Sequence, residues 1–207
     1  MLYAAVGLTA LSVLLLELAL TRIFSVVFYY HFAFLAISIA LFGMGVGGVF
    51  AYAFRSFRAL GWVALATSAM VVVALKAVLE PYAELTNARL AVVYLASALP
   101  FITSGIILST ALSEQVKRIN RLYFADLAGA SLGCLLLVPL LNQFGAPAAL
   151  LIVAGLFAAS AVLWFKQSGA RIWPAITVLL VVAGVAIQNQ QARWFDVKAA
   201  KGVPLTD

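Results

Sequence analysis

The sequence predicts an all-α, polytopic transmembrane helical bundle of about seven spans, six to eight being compatible with the pattern. Three observations carry that expectation. First, 66% of the 207 residues are hydrophobic and only 10% are charged, with a mean hydropathy of +1.13. Soluble domains are about half apolar and about a quarter charged, so this chain lacks the polar side chains needed to face water. Second, apolar runs of about 20 residues, the length that crosses a bilayer core, recur along the whole chain. Third, most basic residues stand in the short gaps between those runs, as membrane proteins place their cytoplasmic charge.

The first span covers residues 2–27 and is interrupted by Glu17 and Arg22. The second covers 30–54, the third 59–79 and the fourth 90–112. The fifth covers 122–141, with Asp126 near its start, the sixth 146–165, and the seventh and shortest 172–187. Asn142, Gly145 and Pro147 predict a tight turn, with Pro147 suited to a first helical turn. Residues 1–188 thus form the transmembrane domain. Residues 189–207 read as a polar tail, a linker or the start of a soluble domain.

Charge asymmetry orients the bundle. Arg55 and Arg58, then Lys117, Arg118 and Arg121, then Lys166 and Arg171 fill the second–third, fourth–fifth and sixth–seventh gaps. On the other side, Arg89 shares its gap with Glu80 and Glu84, and the turn at 142–147 holds no basic residue. The positive-inside rule places the N-terminus in the cytoplasm and, with an odd number of spans, the tail outside. The expected location is therefore a multi-pass position in a membrane, with a cytoplasmic N-terminus and an outside tail. Aromatic clusters at Phe28, Tyr29, Tyr30 and Phe32, at Tyr52, Phe54 and Phe57, and at Trp164 and Trp173 fall where headgroups are expected.

The net charge of +6 does not point to nucleic acid, because no basic face interleaved with aromatic residues gathers it. A single cysteine, Cys134, and a single histidine, His31, leave no disulfide and no metal-ligand or haem-attachment pattern. No catalytic, cofactor-binding or metal site is expected, and no cofactor.

Four polar residues within or beside the spans remain candidates. Glu17 has Thr21 and Ser25 at helical spacing on one side. It reads either as a proton or substrate site or as half of a structural ion pair. Arg22 lies about 140° round the helix from it, which makes a direct pair awkward and leaves its guanidinium free to reach the interface. Asp126 shares a face with Gly129, Ala130 and Gly133, so it should meet a neighbouring helix or cap one. His31 reads as an interfacial polar residue or a ligand. The expected topology sets Glu17 and Asp126 at different depths, too far apart for shared acid–base chemistry.

The run Gly43-Met-Gly-Val-Gly-Gly48 superficially matches a nucleotide loop but lies inside an apolar helix, aligned with Ala36, Ala40 and Ala51. Phosphate cradles need a strand before the glycines and a helix after them. Gly43 and Gly47, like Gly129 and Gly133, are instead expected to admit a second helix at close range. Pro100 and Pro139 interrupt two spans, which can kink a helix or mark a transport site.

The stretch from Glu17-Leu-Ala-Leu-Thr-Arg22 through His31 to Gly43–Gly48 resembles the membrane half of bacterial spermidine-synthase-like proteins, also called fused transporter/spermidine synthase proteins. Tyr123, Asp126, Leu127, Gly129, Ala130 and Gly133 are similar to that family's second motif, and residues 197–202 to the join with its soluble half. The resemblance implies a following aminopropyltransferase-like domain that binds a sulfonium donor. These residues include none of that domain, so no site residue carries over. An outside tail would hold such a domain where that donor is scarce; either the span count is off by one or an attached domain does other chemistry.

The expected function is therefore a non-catalytic anchor or scaffold domain. The alternatives are an accessory subunit of an electron-transfer or photosynthetic membrane complex, and a small transporter or half-transporter using Glu17, Arg22 and Asp126. Lipid, and other membrane subunits or further copies of the chain, are the expected partners. In a Cys134→Ser background, cysteines placed at Val13, Ile39 or Leu136 should resist a water-soluble maleimide in intact membranes. Ready labelling at those three positions would remove the membrane assignment.

Overall fold

A computed structural model of the chain describes residues 1–28, 32–53, 56–80, 86–192, 194–195, 199–200 and 203–204. The described residues form an all-α bundle: α1 (Leu2–Val27), α2 (Phe32–Ala53), α3 (Leu60–Leu79), α4 (Asn87–Glu114), α5 (Ile119–Ser168) and α6 (Trp173–Ala192). Five of these helices are long and apolar enough to cross a membrane, and α6 contributes a shorter apolar stretch over Trp173–Asn189.

The fifth helix is two. A straight helix of its 50 residues would run about 75 Å, more than twice a bilayer core. Gly145 breaks it with φ 76° and ψ 168°, a region only glycine enters without strain. Residues on both sides of this break return to the start of α1. Gly129 packs on the Gly7 backbone, and the Trp164 indole donates to Thr9 Oγ1 at 3.1 Å. In an unbroken helix Gly129 and Trp164 would stand about 50 Å apart. The halves 119–144 (α5a) and 146–168 (α5b) therefore fold back on each other, and the turn expected around Asn142–Pro147 is this break. Pro147 follows it in a first turn, where its missing N–H leaves no ladder bond unmade.

Contacts fix the remaining directions. Gly7 meets Ala125 and Gly129, and Leu11 meets Gly133, so α1 and α5a run parallel. Gly43 meets Ala98 and Phe101, and Gly47 meets Ile102 and Gly105, so α2 and α4 also run parallel. Ser68 donates to the Ala154 carbonyl at 2.7 Å and Gly61 abuts the Phe165 ring, which makes α3 antiparallel to α5b. Gly155 faces Val182 across the α5b–α6 pair. The segments alternate in direction. One end of the bundle carries Met1, Arg58, Lys117, Arg118, Arg121, Lys166 and Arg171. The opposite end carries Phe28, Glu80, the Gly145 break and the end of α6.

Helix ends follow local chemistry. Thr86 caps α4 by accepting the Arg89 N–H at 3.3 Å. Helix α5b stops at Gly169, whose φ of 70° lets Ala170 N–H reach the Phe165 carbonyl at 3.0 Å and its own N–H reach Lys166. That is a Schellman stop, and it frees the chain to turn into Trp173-Pro174.

Inside lipid, helices gain nothing by hiding apolar surface from one another, so close backbone approach and interhelical hydrogen bonds must join them. Here both occur. A Cβ at Gly43 would come within 2.6 Å of the Phe101 Cβ, and one at Gly105 within 2.6 Å of the Met44 carbonyl oxygen. A Cβ at Gly133 would come within 2.9 Å of the Leu11 carbonyl oxygen. At Gly47 and Gly129 a Cβ would overlap the Ile102 and Gly7 carbonyls outright. Thr67 donates to Thr103 at 2.8 Å across α3 and α4. The space left between helices is filled by large side chains, among them Phe24, Phe101, Phe157, Trp164 and Phe165, all fully buried.

Two sequence expectations change. Trp164, expected at headgroup level from its position beside a basic gap, is instead 1% exposed and packs edge-on against Phe57 at 5.8 Å. Its indole N–H has a buried partner in Thr9, and that allows the ring to sit inward. Trp173, at 72% exposed, keeps the rim position. The last helix also outruns its expected end at 187 and continues to Ala192, because glutamine and alanine support a helix and no Gly or Pro intervenes. Beyond it, Asn189 accepts the Phe195 N–H at 2.6 Å and donates to the Phe195 carbonyl at 3.3 Å. Ala199–Ala200 then pairs antiparallel with Val203–Pro204. His31, Arg55 and Glu84 lie outside the described residues.

Replacing Gly129 with Val should destabilise the bundle by about 3 kcal/mol or more, since the obstacle is backbone and cannot swing aside. Gly45, with nothing within 4 Å of a Cβ, should accept Ala with a gain of about 0.5–1 kcal/mol. Steric-trap unfolding in bicelles measures both, and equal effects would contradict the packing.

Candidate functional site

The polar candidates occupy α1 and α5a, and the structure keeps them apart. Ala125 touches Gly7, which places Asp126 beside the first turns of α1. Glu17 lies ten residues beyond Gly7, about 15 Å farther along the same axis. Both carboxylates are half-buried, and among the described residues neither has a hydrogen-bond or ion-pair partner. The polar side of α1 does not close around Glu17. Thr21 Oγ1 donates to the Glu17 main-chain carbonyl at 2.8 Å and Ser25 Oγ to the Arg22 carbonyl at 2.7 Å. Such hydroxyls satisfy themselves on their own helix and hold no side chain.

Arg22 is exposed near the far end of α1 and lines a cleft of about 390 Å³ with Val26, Val138, Leu141, Asn142 and Ala146. At the basic end, Lys117, Arg118 and Arg121 line a recess of about 450 Å³ with Val116, Ile119 and Asn120. Among the described residues no three His, Cys, Asp or Glu side chains come together as a metal group.

Arg89 holds the one ion pair among the described residues, with Nη1 2.9 Å from Glu80 Oε2. Its Nη2 also donates to the carbonyls of Ala77 and Glu80, at 3.0 and 2.7 Å. The guanidinium thereby caps α3, whose last carbonyls lack helical partners, and ties it to the start of α4. This role is structural: a cation at a helix C-terminus.

Protein-family models, curated proteins and solved structures were compared with this chain, and none matches. What the site can do must therefore come from its geometry. Two carboxylates carried at levels about 15 Å apart along the α1 axis do not serve one reacting centre, which requires groups within hydrogen-bond reach. The glycines of both motifs, Gly43 and Gly47 on α2 and Gly129 and Gly133 on α5a, face other helices of the same chain and leave no room for a phosphate.

Sequence reasoning missed their partners, Gly7 and Gly105. A signal was present: a lone glycine within a helix costs about 1 kcal/mol against alanine, so it commonly has a packing reason. It also missed the buried bonds Trp164–Thr9 and Ser68–Ala154, since nothing local to a serine or threonine tells a cross-helix bond from one to its own backbone.

The separation of the two acids is measurable. In a double-mutant cycle, Glu17→Gln and Asp126→Asn should add in stability with a coupling below about 0.5 kcal/mol. A coupling of about 1 kcal/mol or more would mean the carboxylates share a partner.

Proposed function

We propose that this chain is a non-catalytic membrane domain, an anchor or scaffold of the spermidine-synthase-like kind, in a bacterial inner membrane with its basic end cytoplasmic. One observation carries the reading: the interior is packed shut by Phe24, Phe101, Phe157, Trp164 and Phe165, which leaves the bundle a solid post. Two further observations support it. The start of the polar tail is tied to α6 through Asn189 and Phe195, so a domain joined there would begin close to the membrane face. Clustering of Arg58, Lys117, Arg118, Arg121, Lys166 and Arg171 at the end opposite that tail supports an inward N-terminus by the positive-inside rule.

The accessory-subunit reading loses its main motive. The small-residue faces that would suit lateral partners are occupied by α1 and α4 of the same chain. The perimeter presents larger groups such as Phe34, Leu41, Leu95 and Leu135, which suit lipid.

The test is retention against transport. Tagged chain extracted gently from native membranes should bring down a soluble enzyme or an attached soluble domain, and deleting residues 1–188 should release that activity to the soluble fraction. Proteoliposomes that accumulate radiolabelled putrescine, with uptake abolished by Glu17→Gln, would overturn the reading in favour of a transporter.

A further inference from the structure

Helices α1 and α5a are pressed together at one end and apart at the other. At Gly129 a Cβ would overlap the Gly7 backbone. One turn on, at Gly133, it would still crowd the Leu11 carbonyl oxygen at 2.9 Å but meet the Leu14 side chain only at 3.5 Å, so the contact eases. Farther along, Arg22 and Val26 face Val138, Leu141 and Asn142 across a cleft of about 390 Å³. The glycine contact thus acts as the apex of a wedge that opens toward the end of α1.

The wedge has a two-part chemistry. Its walls are apolar, and Val138 and Val26 are 60% and 39% exposed, so it opens sideways on the perimeter that faces lipid tails. Its polar groups are the Arg22 guanidinium and the Asn142 amide, both exposed. Among the described residues no acid pairs with Arg22. Glu17, the acid nearest it on α1, is about 140° away round the helix. Arg22 also lies five residues before the end of α1 at Val27, about 7.5 Å from it, at a depth where an arginine reaches the headgroup layer. The cleft therefore offers an unpaired cation with a second donor, above an apolar slot open to the bilayer.

We propose that this cleft seats one phospholipid with an anionic headgroup. The phosphate sits on Arg22 and Asn142, and an acyl chain lies along Val26, Val138 and Leu141. Guanidinium and amide N–H groups donate to phosphate oxygens, and basic pockets between membrane helices hold anionic lipids by the same means. The apolar slot selects a lipid over free phosphate, which would leave it unfilled.

The full chain, delipidated in mild detergent, is titrated with phosphatidylglycerol or phosphatidylcholine and bound lipid is read by native mass spectrometry. Phosphatidylglycerol should be retained about fivefold more tightly, and Arg22→Gln should remove that preference while Arg22→Lys keeps most of it. Val138→Trp, which fills the slot and leaves the cation, should weaken both lipids. Arg118→Gln, a basic residue at the other end, should leave the preference unchanged. An unaltered preference in Arg22→Gln, tight binding in Val138→Trp, or displacement of the lipid by inorganic phosphate would overturn the proposal.

Discussion

Apolar surface does not drive helices together in a bilayer, because lipid tails are as apolar as leucine. What remains is dispersion at short range and the hydrogen bonds that close approach allows. Among the described glycines, Gly129 leaves the least room for a Cβ, against the Gly7 backbone, and the rest of the fold is arranged around that contact. It fixes the rotation and register of α1 against α5a, which determines where the Gly145 break must fall for α5b to return. That return brings Trp164 to Thr9 and Ala154 to Ser68, which in turn seats α3. The second glycine contact, Gly47 with Gly105, repeats the device between α2 and α4.

Most of the architecture was legible in the sequence because membrane solvent simplifies the problem. Every spanning segment must satisfy its own amides, so apolar length alone marks helices α1 to α4. Gly145 between Asn142 and Pro147 marked a turn that hydrogen-bond patterns alone merge into one long helix. Residue pairing was less visible. The faces of Gly43, Gly47, Gly129 and Gly133 could be read from their spacing, but which helix would cover each is a property of three dimensions. Trp164 shows the limit from another side: its place beside Lys166 indicated the rim, and only a partner 155 residues earlier explains its burial.

The polar residues that stood out in the sequence have divided into different roles. Arg89, one basic residue among acids, is a helix cap and a clamp between α3 and α4. Glu17, whose hydroxyl neighbours Thr21 and Ser25 turn to their own backbone, and Asp126 sit at separate depths, so a carboxylate in an apolar run did not by itself mark a shared centre. Arg22 became informative only when the divergence of α1 from α5a placed it in a cleft. Local sequence supplies the charge, and the crossing of two helices supplies its surroundings.

The parallel course of α1 and α5a bears on how the protein is made. Parallel neighbours cannot be joined by a short turn, so the Gly7 surface leaves the ribosome long before the Gly129 surface that covers it. Until residue 129 has been threaded into the bilayer, α1 must wait with a bare glycine facing lipid or a chaperone. Completion of the bundle is thereby coupled to synthesis of its second half, and a chain halted before α5 would display an unfinished surface that quality-control proteases could recognise.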